Sequence, residues 1–245
     1  LASGLKARPF IRHTVVLLNH GRLETLCSQA GIDTRVIDES RHGFSAILAK
    51  LVAICRAVKP DIIHAHRYKE NLLAAIAAMA CGRPRLITTV HGLSEGMNST
   101  FKGMMKSALN RFLMRRMFDM TVAVSNDIAI SLSERSGVPS KRLATIVNGI
   151  DVHNGFPKKT RTLVDTFTIG SAGRLFPVKD FSIMVDIARM TCAARTKARF
   201  VLAGDGPEKD VILHRIRTNG LEDHFTLLGH VDDMQDFYAG LDIYI

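Results

Sequence analysis

Short runs rich in β-branched and aromatic residues alternate with stretches of helical spacing from one end of the chain to the other, and this order constrains the fold more than any other feature. HTVVLLN, TRVID, DIIHAH, RLITTV, MTVAVS and ATIVN read as strands in the first part, and FTIGSA, RFVLAG, HFTLLG and LDIYI in the second. The apolar spacing between them predicts helices over 44–58, 69–81, 101–118, 126–136, 180–193 and 208–218. A strand reaches a parallel partner only through a long crossover, so strand–helix–strand order builds parallel sheet. The expected fold class is α/β, with doubly wound parallel sheets. NGIDVHNGFPKKTRT, rich in Gly, Asn, Pro and Lys, separates the two series and divides the chain into residues 1–155 and 156–245.

The 245 residues are enough for two modest domains, and 47% hydrophobic content is enough to bury a core in each. The longest apolar run, Leu72 to Cys81, is too short to cross a bilayer, and the opening LASGLKARPF lacks the apolar centre of a signal peptide. A cytoplasmic protein is therefore expected. Cys27, Cys55, Cys81 and Cys192 are far apart without a C-x-x-C pair, which indicates neither a disulfide framework nor a zinc site. The formal charge of +10 lies entirely in residues 1–155, while residues 156–245 balance. Such asymmetry points the first part toward a polyanion, either nucleic acid or an anionic membrane surface.

In an open parallel sheet, ligands bind beyond the carboxyl ends of the strands. The chemically distinctive residues of this chain fall at those ends: DIIHAH runs into RYKE, RLITTV into HG, SAG into RLFPVK, VLAG into DGP, and FTLLG into HVDD. In GRLFPVKD, Gly173 lets the backbone approach a ligand, Arg174 offers a planar fork for phosphate oxygens, and Lys179 adds a point charge at the start of the next helix. Fixed cations of this kind stabilise the charge that develops on a departing diphosphate without a metal. Read structurally, the same two residues are solvated loop cations. In AGDGP, Gly204 and Gly206 free the backbone, Asp205 is placed as a helix cap and Pro207 suits a first turn, a pattern shared by many α/β turns.

His91 stands at a strand end before a glycine, where an imidazole can bond a sugar hydroxyl or serve structurally. His64 and His66 share a strand face by their spacing of two, but no acidic or cysteine partner has ligand spacing, so no metal site is expected. Over 101–118 the apolar residues 101, 104, 105, 108, 109, 112, 113 and 117 form a helical stripe, with Lys102, Lys106, Arg111, Arg115 and Arg116 largely off it. The simpler reading is a helix that covers a sheet and presents a solvated basic face; the other is adhesion to anionic headgroups.

Taken in order, KPDIIHAHRYKENLLA, TTVHG, DMTVAVSND, NGID, GRLFPVKD, AGDGP and LLGHVDD resemble glycosyltransferase family 4, retaining enzymes of the GT-B fold. The resemblance implies two Rossmann-like domains facing across a cleft: an acceptor-side domain over 1–155 and a nucleotide-sugar domain over 156–245. Arg174 and Lys179 would clamp the donor diphosphate with Gly173, Gly204, Asp205 and Gly206 around them. His230 and Val231 would border the base, and His91 would act as the catalytic histidine beside the transferred sugar. His66, Tyr68 and Lys69 are the acceptor-side candidates. Members need no catalytic metal or other cofactor; the partners implied are a nucleotide-diphosphate sugar, a glycan or lipid-linked acceptor of cell-envelope type, and the inner face of a membrane. The family's opening strand with its glycine-rich loop, and the two glutamates that follow a strand like LDIYI, have no counterpart here, so both domains are expected to be incomplete.

Two other classes fit parts of the sequence. A nucleotide-sugar epimerase or phosphorylase shares the two-domain architecture. A basic nucleic-acid-binding module would account for the charge, but three tyrosines, no tryptophan and no aromatic residues interleaved with a basic stripe argue against it.

Overall fold

The computed structural model describes residues 4–5, 8, 10–92, 100–149, 166–194 and 197–245. The chain divides into two compact units, Leu1–Gly149 and Ile150–Ile245. The boundary expected at 155/156, and most of the linker around it, lie outside the described residues.

In the first unit the described elements run β1 (Thr14–Leu17), α1 (Arg22–Gln29), β2 (Asp33–Val36), α2 (Phe44–Val58), β3 (Ile62–Ala65), α3 (Tyr68–Ala80), β4 (Arg85–Val90), α4 (Phe101–Arg116), β5 (Met120–Ala123), α5 (Asn126–Glu134) and β6 (Leu143–Thr145). Strands β1 and β2 pair in one sheet and β3-β4-β5-β6 in another, every pairing parallel. Local chemistry sets several boundaries. Helix α2 stops where Lys59 turns left-handed at φ 50° and donates its N–H to Cys55 O at 2.8 Å, just before Pro60, which has no N–H to extend the ladder. Thr100 and Ser125 cap α4 and α5, accepting from Gly103 N at 3.1 Å and Ile128 N at 3.3 Å.

Small residues let α3 lie close to its sheet. Ala74, Ala75 and Ala78 pack with Ala65 and Leu86 of the strands and with Leu113 and Phe118. Each fully buried side chain of the size of Leu113 or Phe118 stabilises the unit by about 1.5–3 kcal/mol. A second cluster joins Ile37, Ile47 and Leu73, tying α2 and α3 to the β1–β2 sheet.

Helix α4 covers the sheet by a different face from the one its stripe implies. Gly103, Leu113 and Met114 are buried, whereas Phe101, Met104, Met105, Leu109 and Phe112 are exposed, Phe101 by 72%. Apolar residues lie nearly all round this helix, so periodicity alone does not say which arc meets the core. The buried arc also carries Asn110, whose Oδ1 accepts from Asn71 Nδ2 at 2.9 Å while Asn71 Oδ1 accepts from Thr88 Oγ1 at 2.8 Å.

In the second unit β7 (Phe167–Ala172), α6 (Ser182–Ala193), β8 (Ala198–Ala203), α7 (Lys209–Thr218), β9 (Phe225–Gly229), α8 (Met234–Ala239) and β10 (Ile243–Tyr244) build one parallel sheet of order β10-β7-β8-β9. Leu175, Val185, Phe200, Leu202 and Ile212 form the centre of its core, and the Phe200 and Phe225 rings stack at 6.0 Å. Arg215 clamps both Asp186 oxygens at 2.9 and 2.8 Å, linking α7 to α6. Strand β10 is pinned to β7 across 74 residues: Thr168 N donates to Asp242 Oδ2 at 2.8 Å and Ser171 Oγ to Ile245 O.

Cys27 and Cys55 are buried, Cys81 and Cys192 half-buried, and all four are free thiols.

Candidate functional site

The candidate residues of the second unit gather at the carboxyl ends of three adjacent strands. Gly173 follows β7, Gly204 follows β8, and His230 follows β9. Backbone bonds weld the three turns together: Gly173 N donates to Ala203 O at 2.9 Å, Gly204 N to Gly229 O at 2.7 Å, Leu175 N to Asp205 O at 3.0 Å, and Glu208 N to Leu175 O at 3.0 Å. Only glycine fits at 204, where φ is 149° and a Cβ would lie 1.9 Å from Gly173 O; at Gly206, with φ 156°, it would lie 2.5 Å from Leu175 O.

Leu175 is wholly buried, which leaves its neighbours Arg174 and Phe176 at the surface. The Arg174 guanidinium rests over the Phe176 ring, 5.0 Å from its centroid, a cation–π contact that holds the cation without neutralising it. Lys179 differs from expectation. It closes a 3-10 turn, Pro177–Lys179, and Asp180 then adopts a left-handed φ of 43°, so α6 begins only at Ser182. Among the described residues neither Arg174 nor Lys179 forms an ion pair.

Asp205 likewise is not the helix cap that the sequence suggests. Its Oδ1 accepts from Gly206 N at 2.8 Å, and Oδ2 lies 3.8 Å from Lys209 Nζ. Pro207 and Glu208 prolong the turn, because Glu208 N–H is drawn to Leu175 O, and α7 starts at Lys209. Gly229 turns left-handed at φ 69° to lead into His230 and Val231; His230 Nε2 lies 3.4 Å from Asp232 Oδ1.

In the first unit the parallel register places His64, His66, Thr89 and His91 on one face at the carboxyl ends of β3 and β4. His66 Nδ1 and His91 Nε2 are 3.1 Å apart, so one ring N–H donates to the other ring's lone pair. His64 Nε2 bonds Thr89 Oγ1 at 2.8 Å, and its ring lies 4.4 Å from that of His66. Desolvation first, then the neighbouring imidazoles, push the His64 pKa down to about 4; the same two causes lower that of His66. Among the described residues no group of His, Cys, Asp or Glu is placed to hold a metal ion.

A pH prediction follows from His64. Its folded-state pKa lies below the unfolded value near 6.5, so the unfolded chain binds the proton first and stability falls as pH drops from about 6.5 toward 4. Replacing His64 by Asn, which keeps a donor for Thr89, is expected to flatten the melting-temperature profile across that window, as scanning calorimetry at stepped pH would show. An unchanged slope would contradict it.

Two acceptor-side candidates open α3. Tyr68 is half-buried at its first position, and Lys69 is already engaged by Glu39, whose pKa is lowered chiefly by that hydrogen bond. Glu39, Asn71 and Thr89 all belong to this neighbourhood and carry no motif. Only Thr89 was within reach of sequence reasoning, since Thr89 and His91 alternate along RLITTVHG just as His64 and His66 do.

Comparison with known proteins settles the family. The model for Glycosyltransferase Family 4 matches residues 1–154, and that for Glycosyl transferases group 1 matches residues 166–245. The chain belongs to glycosyltransferase family 4. Among curated relatives of this family 4 chain, the UDP-Gal:alpha-D-GlcNAc-diphosphoundecaprenol alpha-1,3-galactosyltransferase of Escherichia coli is 25% identical over 91% of the chain and 64% of its own length. The N-acetyl-alpha-D-glucosaminyl L-malate synthase of Bacillus anthracis is 25% identical over 81% of the chain and 53% of its own length. Among solved structures, Anabaena HepE in complex with UDP and glucose superimposes with a TM-score of 0.81 at 22% identity, over 99% of this chain and 68% of that one. A glycosyltransferase from Rickettsia africae gives 0.77 at 16% identity, over 99% and 66%. The fold is thus of the GT-B type, with two Rossmann-like domains, and the chain spans roughly half to two thirds of the length of these relatives.

Proposed function

We propose that this family 4 chain carries the donor and acceptor residues of a retaining glycosyltransferase that moves a sugar from a nucleoside-diphosphate sugar to a lipid-linked or surface-glycan acceptor. The observation that carries the reading is Arg174, a guanidinium without a carboxylate partner among the described residues, held over Phe176 at the carboxyl end of a parallel strand. A diphosphate gains negative charge as its bond to the sugar carbon breaks. Arg174 and Lys179 meet that charge as fixed cations, in place of a metal. His91 bonds the transferred sugar, and His66 holds the His91 ring through the 3.1 Å contact. A uridine nucleotide is the first donor to try, since the Escherichia coli relative is named for UDP-Gal and HepE was solved with UDP. The diphosphoundecaprenol acceptor in the same relative's name supports a lipid-linked acceptor.

The proposal extends to a peripheral membrane position. No helix of the described residues is long and apolar enough to cross a membrane. Helix α4 instead exposes Phe101, Met104, Met105, Leu109 and Phe112 beside Lys102, Lys106 and Arg111, the pairing of apolar and cationic side chains that suits an anionic bilayer surface.

A thermal-shift panel of nucleoside diphosphates and their sugars tests the donor reading. A ligand at 100 times its Kd stabilises the folded protein by about 2.7 kcal/mol, a readily measured rise in Tm. Uridine nucleotides are expected to give the largest rise; no rise with any member of the panel would reject the reading. Product analysis with labelled donor separates transfer from epimerisation, which consumes no acceptor, and the anomeric configuration of the product tests retention.

A further inference from the structure

A concave site lies in the first unit, at the opposite end of the strands from the histidines. His66 and His91 follow the carboxyl ends of β3 and β4, whereas the end of α4 and the 3-10 turn Ser140–Arg142 precede the amino ends of β5 and β6. Parallel strands put these features on opposite sides, and six-residue β4 alone spans about 20 Å.

There a hollow of about 320 Å³ is lined by Arg115, Arg116, Gly137, Pro139, Lys141 and Arg142. Adjoining it is a second of about 310 Å³, which shares Arg115 and Arg116 and adds Arg111 and Phe112. Among the described residues, the walls of the first hollow carry four cations and no carboxylate. Helix polarity explains two of them, since Arg115 and Arg116 stand in the last turn of α4, where cations are favoured; it does not explain why Lys141 and Arg142 converge on the same space.

The guanidiniums are placed by the backbone. Arg142 donates to Arg115 O and Phe118 O, both at 3.4 Å. Arg115 lies across Gly137, where a Cβ would come within 3.4 Å of its Cζ and Nε. Asp119, the acid that senses Arg142, is occupied by Leu86 N–H at 2.9 Å and Arg85 at 3.0 Å. Four cations held together against their mutual repulsion match a ligand with several anionic oxygens, and guanidiniums bind phosphate through paired N–H donors. The volume exceeds that of a lone ion and falls at the lower end of the range of small-ligand sites.

We propose that this hollow is a phosphate-ester site, distinct from the strand-end site and independent of donor binding. The ester is either the headgroup of an anionic phospholipid, with exposed Phe112 beside it to meet acyl chains, or a soluble phosphomonoester. Only the choice of lipid as the source rests on the membrane reading above.

The test compares two double variants of the intact protein that remove equal charge. Arg116→Gln with Lys141→Gln empties the hollow of two cations but keeps the Arg142 anchors; Lys50→Gln with Arg56→Gln removes two exposed cations on α2. Calorimetric titration with glycerol phosphate is expected to show binding to the parent protein and to the Lys50/Arg56 variant, and at least about tenfold weaker binding to the Arg116/Lys141 variant. Equal affinity in both variants, or no binding to the parent, overturns the proposal whatever the nucleotide panel shows. Flotation with vesicles of phosphatidylglycerol in phosphatidylcholine, against phosphatidylcholine alone, then separates the sources. Preferential loss of flotation in the Arg116/Lys141 variant assigns the hollow to headgroups; flotation equal in both variants, with glycerol phosphate binding lost only in Arg116/Lys141, assigns it to a soluble ester.

Discussion

Replacing Arg174 by alanine is expected to lower turnover by about 10²- to 10³-fold, the effect of deleting one group that meets charge developing in a transition state. Arg174→Lys is expected to recover only part of it, since an ammonium restores the charge but not the planar fork that holds two phosphate oxygens. Folding should be nearly unaffected, because the side chain is exposed and its one described contact is the Phe176 ring at 5.0 Å. Measuring kcat, donor affinity and Tm together distinguishes this from a trivial loss of structure. Donor affinity and turnover close to those of the parent would remove the central support for the proposed chemistry.

Gly204→Ala is expected to act in the opposite manner, destabilising the second unit by about 3 kcal/mol or more. A methyl group there meets Gly173 O at 1.9 Å, and neither partner can yield, because both turns are fixed by the Gly173–Ala203 and Gly204–Gly229 bonds. Gly220→Ala supplies the control. Its φ of 63° is also left-handed, but nothing lies within 4 Å of the added Cβ, so about 1 kcal/mol is expected. Urea unfolding of the two variants should separate them clearly; equal midpoints would mean that the turn at 204 is looser than the structure shows.

The sequence carried the strand–helix alternation well, because burial on both faces of a parallel sheet enforces long β-branched runs such as RLITTV and FTIGSA. It left α1 unmarked: Leu23, Leu26 and Cys27 are spaced for a helix, but eight residues span barely two turns and bury only Cys27. It also misplaced the contact face of α4, where the core takes Gly103, Asn110 and Leu113 instead of the more apolar arc at 101, 104, 105 and 112. At the carboxyl strand ends the turns themselves were legible from Gly204 and Gly206, whereas Lys179, expected at the start of the next helix, closes a 3-10 turn instead. Contacts between distant partners were not legible. Glu39 engages Lys69 from 30 residues away, and Asn71 bonds Asn110 from 39, separations that leave no local pattern.

The anchoring of β10 has a consequence for biosynthesis. Strand β7 lies between β8 and β10, and its second neighbour is supplied 74 residues later. On a translating ribosome, Phe167–Ala172 therefore emerges long before Ile243 and Tyr244 can shield it, and for that interval it offers an open hydrogen-bonding edge to any passing strand. Nascent chains halted before Ile243 should accordingly be captured by chaperones that recognise extended apolar segments, and released once Ile243 and Tyr244 have cleared the exit tunnel.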